Sequence, residues 1–223
     1  MLDNPDSSKP EKPSAPSHNN DRIVFFSDGV FAITITLLVL EIKVPEIASE
    51  LVSSELPHEL LHLLPKILGH LMSFIILGIF WIAHHNIYMY IKRHNHVLLW
   101  LNTLFLMCIA SLPFPTGLLG HYPDQQIAVV SYAGTLMLTG ICLDAIWWYA
   151  TTRYLVDEVD AKFVAFVHKF NRLAPSMYAL SILLSFFSLA VAKLIFVVVA
   201  IFYIVPNSLY RNHYRELTRR YNQ

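Results

Sequence analysis

The sequence predicts an all-α integral membrane protein with six transmembrane helices per subunit. Three observations predict it. Of 223 residues, 55% are hydrophobic and 14% are charged, where a soluble domain carries about 25% charged residues. The mean hydropathy is +0.49. Six apolar segments follow one another, and the basic residues gather between alternate pairs of them. Sixteen Lys and Arg balance sixteen Asp and Glu. That balance excludes a polybasic nucleic-acid binder, so no nucleic-acid partner is expected. The hydrophobicity excludes a disordered chain. Seven glycines without a Gly-rich phosphate loop argue against a nucleotide enzyme.

The elements follow in order. Residues 1–21 are rich in Pro, Ser, Asn and charge, and predict a disordered tail. They lack the apolar run of a signal peptide. The apolar segments are Ile23–Ile42, Ile67–Ile91, Val97–Leu119, Ile127–Ala150, Leu173–Val191 and Leu194–Tyr210. Each reaches, or nearly reaches, the hydrocarbon thickness of about 30 Å. The last two are almost continuous. One helix over that length would measure about 58 Å, so the chain must fold back. Lys193 marks the expected turn. Ala48–Leu64 predicts a short amphipathic helix after span 1, in a loop with Glu46, Glu50, Glu55 and Glu59. Pro113 and Pro115 can break span 3 near its outer end. Residues 22–210 form the membrane domain, and 211–223 a basic C-terminus. Cys108 and Cys142 lie in apolar runs and are expected to be free thiols.

Lys and Arg set the orientation. The N-terminal tail, the second and fourth connections and the C-terminus hold 13 of the 16 basic residues; Lys43, Lys66 and Lys193 lie opposite. Both termini are therefore expected in the cytoplasm.

Span 1 carries the unusual residues. Asp28 sits about 8 Å inside its cytoplasmic end. A carboxylate there needs a partner. His84 and His85 of span 2, Asn102 of span 3 and Asp144 of span 4 fall at a similar depth, about 8–10 Å from the same side. Trp81, His84, His85 and Tyr88 share one helix face, expected to point into the bundle. Such a belt serves either as a proton relay or as a hydrogen-bond network pinning span 1 to spans 2 and 3. The second reading is favoured. No metal site is expected, because adjacent His84 and His85 diverge by about 100°.

Helical angles divide span 1. With Ile33 at zero and 100° per residue, Gly29 falls at about −40°, Thr36 at −60°, Leu37 at +40° and Leu40 at −20°. Asp28 falls at about −140°. If Asp28 anchors the helix in its own subunit, the stripe Gly29, Ile33, Thr36, Leu37 and Leu40 faces out of that bundle. It then meets lipid, another subunit or a pore axis.

The motif Arg22-x-x-x-Phe26-Ser27-Asp28, continuing Gly-Val-Phe-Ala-Ile-Thr-Ile-Thr-Leu-Leu-Val-Leu-Glu, resembles the first-helix signature of the endosomal/lysosomal potassium channels and their bacterial relatives, the transmembrane protein 175 family. Phe80-Trp81-Ile-Ala-His84-His85 and Leu101-Asn102-Thr-Leu-Phe extend the likeness. The resemblance implies a potassium-selective cation channel without a carbonyl filter loop, and no Thr-Val-Gly-Tyr-Gly is present. A single signature implies the bacterial form: a homotetramer, multi-pass in the bacterial inner membrane, with its pore lined by the first helix. The family's isoleucine constriction matches Ile33, with Leu37 and Leu40 as further apolar rings. Thr36 matches its polar selectivity layer. Arg22, Phe26, Ser27 and Asp28 match a packing network whose partners are His84 or His85 and Asn102. The implied partners are potassium ions, the bilayer and further copies of the chain. No cofactor is implied. The alternative is a proton channel or proton-coupled transporter using Asp28, His84 and His85. An enzyme is not expected, since neither His-Glu-x-x-His nor Gly-x-Ser-x-Gly occurs.

Overall fold

The computed structural model describes residues 18–156 and 159–205. Residues 1–17 of the expected tail, the end of the sixth segment and the basic C-terminus lie outside the described residues. The described residues form an all-helical fold: α1 His18–Leu37, α2 Val52–His62, α3 Leu64–Tyr90, α4 His96–Ser111, α5 Pro113–His121, α6 Gln126–Thr152, α7 Ala161–Ser185 and α8 Leu189–Ile204. A 3₁₀ turn, Leu38–Glu41, extends α1.

Among the described residues, four stretches are long and apolar enough to cross a membrane: Asp21–Glu41, Leu64–Tyr90, His96–His121 and Gln126–Thr152. The third joins α4 to α5 through Leu112, where Pro113 cannot donate to the preceding turn. α2 occupies the place of the expected outer helix.

The last two segments differ from expectation. α7 begins at Ala161, twelve residues before Leu173, and ends at Ser185. The fold-back lies at Phe186–Ser188 rather than Lys193. Ser188 is extended and its Oγ accepts from Val191 N at 3.5 Å, an N-cap that starts α8. Lys193 therefore sits inside α8. Its Nζ donates to the Pro123 carbonyl at 3.0 Å and lies 3.7 Å from Asp124.

α6 is the centre of the packing. It meets α4, α5, α7 and α8, and Leu136, Ile146 and Trp147 on it are fully buried. α1 stands at the edge, against α3 and α4. Asn95 caps α4 by accepting from Leu98 N at 3.0 Å. The Ile91–Val156 bridge ties the α3–α4 connection to the α6–α7 connection.

α6 and α7 pack closely at Gly140. A Cβ there would lie 2.6 Å from Pro175 Cγ and 3.0 Å from its Cδ. Pro175 is buried inside α7 and its ring cannot swing away. Gly140→Ala should therefore destabilise the fold by about 1–3 kcal/mol, despite the better helix propensity of alanine. Thermal unfolding in detergent checks this, and an unchanged midpoint would show that the helices separate freely.

Candidate functional site

α1 presents two faces. Ile23, Ser27, Phe31, Thr34 and Leu38 recur every three or four residues and are all buried. Gly29, Ile33, Thr36, Leu37 and Leu40 lie exposed on the other side, Ile33 by 61% and Leu40 by 67%. The 3₁₀ turn advances Leu40 by about 60° over its α-helical angle, which keeps it beside Leu37. Thr36 Oγ1 donates to its own Ile33 carbonyl at 2.8 Å. That bond occupies the hydroxyl proton and leaves oxygen lone pairs free on an exposed residue.

The buried face of α1 is held by a chain of hydrogen bonds. Ser27 Oγ donates to the Ile23 carbonyl at 2.8 Å and accepts from Asn102 Nδ2 at 3.1 Å. Asn102 Oδ1 lies 2.9 Å from His84 Nε2. An amide oxygen only accepts, so Nε2 carries the proton. The His84 ring stacks on Tyr88 at 4.4 Å and on Phe105 at 5.3 Å between centroids. Phe31 closes the pocket, 6.0 Å from His84. Ser27, His84 and Asn102 are buried, and their chain links α1, α3 and α4.

Asp28 stands apart from this chain. Its Oδ1 accepts from Trp81 Nε1 at 2.8 Å, and neither His84 nor His85 takes that place. Helix geometry gives the reason. With His84 at zero, Tyr88 falls at about 40°, Trp81 at 60° and His85 at 100°. The expected inward face is thus split. His84 and Tyr88 are buried, while Trp81 and His85 are exposed, with ring centroids 5.8 Å apart. Within the protomer, Arg22 and Phe26 are exposed as well. With His94, Leu99 and Thr103 they border a surface cavity of about 340 Å³.

Asp144 belongs to a third group. Its carboxylate meets His168 Nδ1 at 2.7 Å and Arg172 Nε at 2.8 Å, both from α7. Groups at one depth are thus divided among three separate contacts. Trp81 carried only the signal of the face it shares with His84; the rotation of α3 in the fold pairs it with Asp28. A second polar cluster, Ser73, Thr116 and Tyr132, joins α3, α5 and α6 with hydroxyl contacts of 2.8 and 2.9 Å. It has no equivalent signal, because a lone hydroxyl also satisfies itself on its own helix. Among the described residues, no three His, Cys, Asp or Glu gather as metal ligands.

Comparison with known proteins bears on the same residues. The family model described as "Endosomal/lysosomal potassium channel TMEM175" matches residues 22–113. A potassium channel of Chamaesiphon minutus is 38% identical over 188 residues, 82% of this chain and 92% of that one. A crystal structure described as a lysosomal potassium-selective channel TMEM175 homolog from the same organism superposes with a TM-score of 0.74 at 36% identity, covering 83% of this chain and 96% of the other. The human endosomal/lysosomal proton channel TMEM175 is 28% identical over 138 residues, 58% of this chain and 27% of its own length. The likeness runs through the α1 signature and across most of the chain, and the protein belongs to the endosomal/lysosomal potassium channel TMEM175 family.

Proposed function

We propose that the protein is a potassium-selective cation channel that conducts along a pore lined by α1. The observation that carries this reading is the exposed stripe Gly29, Ile33, Thr36, Leu37 and Leu40, on a helix whose opposite face is held in its own subunit. The names of its relatives support potassium as the permeant ion. In this reading the subunit has six spans: α1, α3, α4 with α5, α6, α7 and α8. Residues 22–210 make up the channel domain, both termini are cytoplasmic, and four copies surround the pore in the bacterial inner membrane. The protein catalyses no reaction and needs no cofactor.

Four Ile33 side chains form the constriction. An apolar ring of that kind stops hydrated ions by dewetting when narrow. Leu37 and Leu40 add further rings. An apolar ring offers no ligand to a dehydrated ion, so selectivity needs oxygens nearby. Thr36 supplies them, with its proton on Ile33 and its lone pairs available. Thr36→Val should lower the potassium-to-sodium permeability ratio while the protein still assembles. An unchanged ratio would remove Thr36 from this role.

The proton reading draws on the name of the human relative. The hydrogen-bond chain weighs against it here. Asn102 stands between His84 and Ser27, and an amide N–H does not release protons at ordinary pH. Asp28 is bonded to an indole N–H, which does not shuttle protons either. The deciding experiment is the reversal potential of purified protein in liposomes under opposing potassium and sodium gradients. A value near the potassium equilibrium potential is expected. A current that follows only the pH gradient would favour the proton reading.

A further inference from the structure

An open groove runs between α6 and α7, with a volume of about 600 Å³. Trp148, His168, Lys169, Arg172, Leu173 and Ser176 border it. α7 packs on α6 and α8, whereas α1 packs on α3 and α4, so the groove lies on a different side of the protomer from α1.

The exposed face of α7 changes character from the groove, which ends at Ser176, to the residues beyond it. Ala165, Lys169, Arg172, Ser176, Leu180 and Leu183 are exposed at spacings of three and four, one stripe of the helix. Its first half is basic and its second half aliphatic. Arg172 is fixed by one nitrogen, since Nε donates to Asp144 Oδ2 at 2.8 Å. Its side chain is nonetheless 64% exposed, so the terminal guanidinium nitrogens face outward. Lys169 stands one turn nearer the end where α6 and α7 are joined. Trp148 is exposed one turn from the α6 terminus, the level at which indoles seat at a membrane–water boundary.

We infer that this groove binds one anionic phospholipid. Its phosphate sits against Lys169 and Arg172, and an acyl chain runs along Leu173, Leu180 and Leu183. Charge complementarity and the polar-to-apolar gradient along one axis commit the site to a lipid. A free anion would leave the aliphatic half of the stripe unused, and a peptide would not need the gradient. The inference rests on reading α6 and α7 as membrane helices.

Native mass spectrometry of the delipidated full-length protein tests it, with phosphatidylglycerol and phosphatidylcholine as probes. Phosphatidylglycerol should be retained in preference. Lys169→Gln should weaken retention about fivefold, since one basic residue at the surface contributes about 1 kcal/mol. Lys169 is exposed, so this change leaves the core intact. Trp148→Leu should weaken it as well. Lys43→Gln, a change in the exposed residue after the α1 extension, should have no effect. Equal retention of the two lipids overturns the inference, as does retention unaffected by Lys169→Gln. Displacement of phosphatidylglycerol by equimolar inorganic phosphate would assign the site to a free anion instead. Binding is scored without any current. A protein that holds lipid but passes no potassium therefore refutes the channel reading alone, and one that conducts but shows no lipid preference refutes this one.

Discussion

Asn102→Leu should destabilise the protein by about 2 kcal/mol and disturb the seating of α1. Leucine has the same number of side-chain heavy atoms and the same branch point and is the bulkier of the two, so the effect is one of polarity rather than of a cavity. Hydrogen bonds between membrane helices average only about 0.6 kcal/mol, because the unfolded helices find other partners in the membrane. The cost here is larger for a specific reason. Ser27 keeps its bond to the Ile23 carbonyl when Asn102 is lost. His84 does not: its Nε2 proton is left facing leucine, between the rings of Tyr88 and Phe105, at 1% exposure. A buried donor without an acceptor costs about 1–3 kcal/mol. Ser27→Ala should accordingly cost less, because Asn102 keeps its bond to His84. The combination of Asn102→Leu with His84→Phe should recover much of the loss, since removing both partners leaves no orphan. Thermal unfolding in detergent, with oligomer yield by size exclusion, measures these three variants, His84→Phe alone and the unsubstituted protein. A double variant worse than the sum of its parts would show that His84 acts through something other than this bond.

The angular division of α1 was legible in the sequence because it depends only on 100° per residue. It puts Ser27 and Ile33 on different faces, and the structure shows which face is buried: Ser27 is inside and Ile33 outside. The partner of Asp28 was not legible. Helix rise gives depth, and by depth alone Asp28, His84, His85, Asn102 and Asp144 form one belt. Neighbours depend also on how each helix is rotated. The rotation of α3 puts Trp81 rather than His84 against Asp28. For Asp144 the failure lies elsewhere. The first half of α7 carries Lys162, His168, Lys169 and Arg172 and reads as a loop when only apolar runs are sought. With α7 begun at Leu173, both partners of Asp144 fell into a connection. The turn before α8 is hard to read for a related reason: Lys193 is the conspicuous charge, but the cap that starts the helix is Ser188.

Ile33→Ser should raise potassium flux through liposomes by at least about tenfold, equivalent to about 1.4 kcal/mol removed from the conduction barrier. The residue is 61% exposed in the protomer and contributes nothing to the core, so the substitution leaves the fold of each subunit unchanged. In the proposed tetramer, what it changes is the pore axis. Four isoleucines around a narrow axis exclude water, and an ion crossing that ring must shed hydration without compensation. Four serines hold water and offer hydroxyl oxygens at the same level. Leu37→Ser, at about 40° from Ile33 and exposed by 42%, should produce a smaller rise, because a second apolar ring matters less while the first remains. Ile33→Phe should reduce flux instead. The three variants together separate a constriction from a surface that merely faces lipid. On a lipid-facing helix, serine would be mildly unfavourable for insertion and phenylalanine neutral, and none would alter flux. Ordered changes in the sequence serine, isoleucine, phenylalanine at position 33, with oligomer yield constant, require that the side chain stand in the path of the ion.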